Sequence, residues 1–100
     1  MTEKFTIEKT SVINGFQKFT LSFLGVENGL YKSNFNFLYR AGTKDYEYSS
    51  DIFESDSLYN AMLRAYSEGR KILAHNRYDT TLAKKAFSIF QEQSQLKFRF

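Results

Sequence analysis

The chain is predicted to be α+β, because its hydrophobic period changes once along its length. Up to about Phe53 apolar residues alternate with polar ones, the period of strands; beyond it they recur every three to four residues, the period of helices. Turn signals at Asn14-Gly15, Gly25 to Gly29 and Ala41-Gly42-Thr43 divide the first part into four strands. Strands followed by helices specify an antiparallel meander with two helices on one face, in a single domain of 100 residues.

The elements follow in order. Phe5 and Ile7 alternate with Thr6 and Glu8, and beyond Asn14-Gly15 the set Phe19, Leu21 and Phe23 opposes Lys18, Thr20 and Ser22, which gives a first hairpin over residues 4–24. The third strand spans residues 31–39, with Phe35, Phe37 and Tyr39 opposite Asn34 and Asn36. The fourth spans 46–53, with Tyr46, Tyr48 and Ile52 alternating against Glu47, Ser49 and Asp51. Leu58, Ala61, Met62, Ala65, Gly69, Ile72 and Leu73 then form one helical stripe, with Ser55 or Asp56 as the expected N-cap. Gly69 in that stripe marks a place where the helix lies close to the sheet. A second helix is expected from Thr80 or Thr81 to about Gln93, burying Leu82, Ala86, Ile89 and Phe90. Residues 96–100 alternate and fit a short fifth strand at the C-terminus, a frayed helical tail being the alternative.

Composition narrows the chemistry. Aromatic residues make up 18% of the chain, eleven Phe and seven Tyr with no Trp, more than a small core readily absorbs. Dimerisation through an aromatic sheet face is therefore one expectation. Without Cys there are no disulfides, thiolate metal sites or thiol nucleophiles. No signal-peptide pattern and no apolar run long enough to span a bilayer is evident, so a cytoplasmic protein without membrane attachment is expected. Abundant Phe, Tyr, Lys and Asn suit an AT-rich bacterial or phage genome.

Catalytic signatures are missing. His75, the single histidine, falls at the end of the first helix, where its cationic form complements the helix dipole. No Ser stands in a nucleophile-elbow context, and neither phosphate-loop nor dinucleotide glycine pattern occurs. Alternate strand carboxylates stand roughly 7 Å apart, too wide to share one ion easily. The expectation is no catalytic residue, no metal and no cofactor.

Two charged groups invite a partner. Asp45, Glu47, Asp51, Glu54 and Asp56 form a stretch of five carboxylates without a cation, inside a chain of net charge +3. Glu54 and Asp56 suit a helix start, whereas Asp45, Glu47 and Asp51 share strand parity and form an acidic face for a protein partner with a basic surface. Tyr46 and Tyr48 are candidate anchors for that partner, although parity sets them on the opposite face. Residues 56–100 hold eight basic and four acidic residues. There Arg64, Arg70, Lys71, Lys97 and Arg99, with Phe98 and Phe100, make an alternative nucleic-acid surface.

Asp56-Ser57-Leu58 with Ala61, Ala65, Arg70 and Leu73 resembles the signature helix of a family of small, uncharacterised bacterial proteins that also place strands before it. The resemblance covers about residues 4–75 and implies a fold and a bacterial setting, not an activity. The expected function is non-enzymatic and stoichiometric: an immunity-type inhibitor that covers the working surface of a bacterial toxin, with a phage-encoded inhibitor of a bacterial defence complex as the neighbouring alternative.

Overall fold

The computed structural model describes residues 2–97, with the backbone alone for residues 95–97. Its elements are β1 (Glu3–Ser11), β2 (Gly15–Glu27), β3 (Leu30–Ala41), β4 (Lys44–Ser49), β5 (Phe53–Ser55), α1 (Leu58–His75) and α2 (Thr81–Lys97). The strands form one antiparallel sheet in the order β1-β2-β3-β4, with β5 also paired to β3. This is the expected α+β meander with two helices on one face.

Glycine-bearing turns set the registers. Glu27 pairs with Leu30, so the β2–β3 loop is the two-residue Asn28-Gly29, with φ of 54° and 78°. Both central residues are left-handed, matching the twist of the strands they join. The β1–β2 turn works differently from the two-residue Asn-Gly turn expected there. Ser11 pairs with Gly15 around a three-residue loop, and only Gly15 is left-handed, at φ 73°. A side chain at Gly15 would also strike the Arg40 carbonyl.

One buried aromatic layer joins sheet to helices. Phe5, Phe19, Leu21, Phe35 and Phe37 point at Met62, Ala65, Leu73, Leu82, Ala83, Ala86, Phe87 and Phe90. Gly69 does lie close to the sheet: a Cβ there would come within 2.5 Å of Phe19 Cζ. Ser33 adds a polar tie, its hydroxyl donating to the Ala61 carbonyl at 2.6 Å in a fully buried position. The aromatic face expected to be free for dimerisation is thus the face the helices cover.

Helix ends follow capping chemistry. Ser57, not Ser55 or Asp56, caps α1, its Oγ accepting from the Asn60 amide at 3.2 Å; Ser55 is used up as the last residue of β5. At the other end Arg77 takes φ 62°, its amide donating to the Ala74 carbonyl and that of Tyr78 to the Leu73 carbonyl. This is a Schellman ending built on arginine where glycine is usual, and it turns Tyr78 back over Phe37 and Tyr39. Asp79 starts α2, accepting from the Thr81 amide at 2.9 Å and hydroxyl at 2.6 Å.

The C-terminal strand is not formed where its first residues can be seen. Leu96 and Lys97 continue α2, whose helical hydrogen-bonding extends past the predicted end near Gln93; Phe98, Arg99 and Phe100 lie outside the described residues. Among the described residues the fifth strand is β5.

Candidate functional site

The second face of the sheet carries no covering layer among the described residues. Alternation in β1 to β4 delivers Lys4, Thr6, Lys18, Thr20, Ser22, Leu24, Asn34, Asn36 and Glu47 to it, lining a shallow groove of about 400 Å³. Thr20 and Ser22 form its floor, each only 7% exposed, because longer side chains on neighbouring strands stand around them. Thr6 and Thr20 share a hydroxyl hydrogen bond of 3.0 Å, and Asn36 donates to Ser49 Oγ at 2.7 Å and to Glu47 at 3.3 Å.

The acidic stretch is divided by a register shift. Ser49 pairs with Asn36, but Phe53 pairs with Ser33, so the edge ribbon holds one residue more than β3 does between these points. The surplus residue is a bulge near Asp51, fixed by Ser50, whose amide donates to the Phe35 carbonyl while its Oγ accepts from the Phe35 amide, both at 2.9 Å. Parity inverts across it. Phe53 therefore packs on the core and Ile52, expected inside, is 56% exposed. Asp45 and Glu47 share the open face as expected, and so does Glu54 opposite Lys32; Asp51 sits in the bulge and falls out of the strand alternation.

These carboxylates are partly neutralised within the chain. Asp45 meets Arg40 at 3.5 Å, and Lys32 meets Glu27 at 3.0 Å. The hydrogen bond and charge of Glu27, with a smaller contribution from Glu54, hold the Lys32 ammonium above its usual pKa. With Lys4, Lys18, Lys32 and Arg40 interspersed among Asp45, Glu47 and Glu54, the open face is a mosaic of both signs. Tyr46 and Tyr48 point the other way, half-buried against the core with Phe37, Tyr78 and Phe35 as ring neighbours.

Two of the described members of the basic set, Arg64 and Lys71, are engaged within the chain. Arg64 donates to the Glu54 carbonyl at 2.6 Å and lies over the Phe53 ring, fastening α1 to β5. Lys71 pairs with Glu68 on its own helix, and Arg70 is exposed beside it. Lys97 is at the end of α2 and Arg99 lies outside the described residues.

A second, smaller hollow of about 150 Å³ lies at the sheet end, lined by Lys9, Asn14, Gln17, Tyr39, Arg77, Tyr78 and Asp79. Lys9 reaches Asp79 at 2.7 Å; that hydrogen bond, with those from Thr81, lowers the Asp79 pKa to about 2. Burial raises the Tyr78 hydroxyl above its ordinary value. The Gln17 side-chain oxygen is buried with no hydrogen-bond partner among the described residues. Among the described residues no three His, Asp or Glu side chains lie together as a metal site would require, and no helix is long and apolar enough to cross a membrane.

Alternation separates the two faces of β2 and β3 in the sequence as it does in the structure. The signal for the open face is a row of hydroxyl and amide side chains, Thr20, Ser22, Asn34 and Asn36, beside Lys18. It did not reveal Val12 and Ile13, fully exposed at the tip of the β1–β2 turn, 105% and 90% of their reference areas. Comparison with protein-family models, with curated proteins and with solved structures found no match to this chain.

Proposed function

We propose that this chain is a non-enzymatic, stoichiometric binding protein of the immunity type, and that it covers a toxin's working surface with the open face of its sheet. The uncovered groove between Lys4 and Glu47 carries this reading. Hydroxyl and amide groups along it offer directed hydrogen bonds, and its interspersed charges select a partner by complementary pattern. The partner is accordingly expected to present both signs of charge, a narrower demand than a uniformly basic surface.

The test inserts a photo-crosslinking residue at Asn36, in the groove, and separately at Lys84, on the exposed side of α2, in cells of the source organism. Covalent capture of the same protein from Asn36 and not from Lys84 is expected. Purified with that protein, Asn36→Lys should weaken the complex at least tenfold while the melting temperature stays within about 2 °C, as for an ordinary surface substitution. Capture from Lys84 alone, or an Asn36→Lys chain that binds as the native one does, overturns the proposal.

A further inference from the structure

The sheet has two edges, and they are treated differently. The β4–β5 edge is interrupted by the bulge near Asp51 and carries Asp45, Glu47 and Glu54, devices that discourage strand addition. The β1 edge is an uninterrupted strand of nine residues, Glu3–Ser11, and among the described residues nothing pairs with its outer side.

The sequence of β1 is complementary to its own reverse. About Thr6, the run Lys4-Phe5-Thr6-Ile7-Glu8 exchanges a cation for an anion and one apolar residue for another when read backwards. Two copies laid antiparallel, Thr6 against Thr6, place Lys4 opposite Glu8 twice and Phe5 opposite Ile7 twice. Residues of equal parity then face each other, so outward-pointing backbone groups meet outward-pointing groups and both apolar pairs fall on the helix side. Neighbouring symmetric registers lack this match. Centring on Phe5 opposes Lys4 to Thr6, centring on Ile7 opposes Phe5 to Lys9, and centring on Glu8 sets two carboxylates together. Lys4 and Glu8 are exposed, and neither takes part in an ion pair among the described residues.

The helical layer repeats the pattern. Phe90 meets Phe5, which sets this part of α2 over β1 next to Thr6. Phe87 contacts Tyr59 and Tyr66, so α1 lies on that side of α2. Lys85, Ile89 and Glu92, spaced by four and three residues, occupy the flank turned away from α1. A second copy related by the same two-fold brings Ile89 towards Ile89 and Lys85 towards Glu92. Ile7 and Ile89, both only partly buried in the single chain, would then be covered.

We propose that the chain forms a two-fold homodimer through antiparallel pairing of β1, in register about Thr6, so that two sheets become one. The open faces join into a continuous surface, and the guarded β4–β5 ribbons become its outer edges. This goes beyond the proposed binding role and does not depend on it.

The test uses the full chain at about 100 μM, a concentration that populates micromolar dimers. Sedimentation equilibrium should give twice the 11.7 kDa chain mass. Lys4→Glu sets carboxylates against carboxylates at both pairs, and Glu8→Lys sets ammonium groups against each other, so each variant should self-associate at least tenfold more weakly. An equimolar mixture of the two variants restores both attractive pairs and should dimerise. The doubly exchanged Lys4→Glu/Glu8→Lys chain should dimerise as the native one does, which covers the case of a single variant that circular dichroism shows unfolded. A native chain that stays monomeric, single variants that dimerise undiminished, or a monomeric doubly exchanged chain overturns the proposal.

Discussion

Phe19 and Thr20 are neighbours on β2 that point to opposite faces, and both are largely withdrawn from water, with exposures of 0% and 7%. They are closed off by different means. Phe19 lies under α1, stacked on Phe35 and pressed by the backbone of Gly69. Thr20 is closed only by side chains of its own sheet and keeps its hydroxyl satisfied by Thr6. The first kind of burial removes apolar surface from water and generates folding free energy. The second exchanges one set of hydrogen bonds for another and generates little. Stability is therefore concentrated on one side of the sheet, leaving the composition of the other side available for recognition.

The sharpest way to break this comparison is Phe19→Ala. The change removes a fully buried ring from the middle of the core, and the rigid flanking groups at Gly69 and Phe35 limit collapse into the space. A loss of about 3–5 kcal/mol is expected by urea denaturation, a large share of the roughly 5–15 kcal/mol that holds a domain of this size together. A loss under about 1 kcal/mol would show that the helical layer is not what stabilises the sheet.

The same contrast explains what could be read from sequence. The helix-covered face was legible because Phe19, Leu21, Phe35 and Phe37 alternate and burial on one face enforces that alternation. Period also revealed the two helices and the closeness of Gly69. The bulge near Asp51 was not legible, because one inserted residue leaves composition unchanged and only reverses which side chains face inward. Ile52 and Phe53 consequently exchanged places, and Asp51 left the face assigned to it. The cap of α1 moved to Ser57 for a related reason, since Ser55 was claimed by a three-residue strand too short to show a period. On the candidate site, Asp45 and Glu47 were placed on their proper face, but the salt bridge between Asp45 and Arg40 depends on the β3–β4 register, which the alternation alone does not specify.

A smaller effect is expected where the two layers are fastened at one end. Asp79 begins α2 and meets Lys9 of β1 at 2.7 Å, and this contact with the Thr81 hydrogen bonds holds its pKa at about 2 rather than 3.8. A carboxylate with a depressed folded pKa stabilises the fold above its unfolded pKa, and that contribution disappears as pH falls through the folded value. Asp79 is partly exposed and Lys9 more so, which reduces the effect to about 1 kcal/mol. Asp79→Asn should thus lower stability at pH 6 by that amount and hardly at all near pH 2, with the difference closing between pH 4 and pH 2. Equal differences at both ends of a thermal-unfolding pH series would remove the ion pair from the account.

The smallest effect should come from the open face itself. Replacing Thr6 and Thr20 together by Val preserves shape and branching while deleting both members of their hydroxyl pair, so no unpaired group is left behind. Valine also suits a strand at least as well as threonine does. The double variant should match the native chain within about 0.5 kcal/mol in urea, while Thr6→Val alone, which strands the Thr20 hydroxyl on a nearly closed floor, should cost more than the pair does. Coupling of that sign, beside the large loss at Phe19 one residue away, would establish that the hydroxyls in the groove are dispensable for folding. A double variant several kcal/mol less stable would instead make the open face a second source of stability and remove the reason for assigning it to a partner.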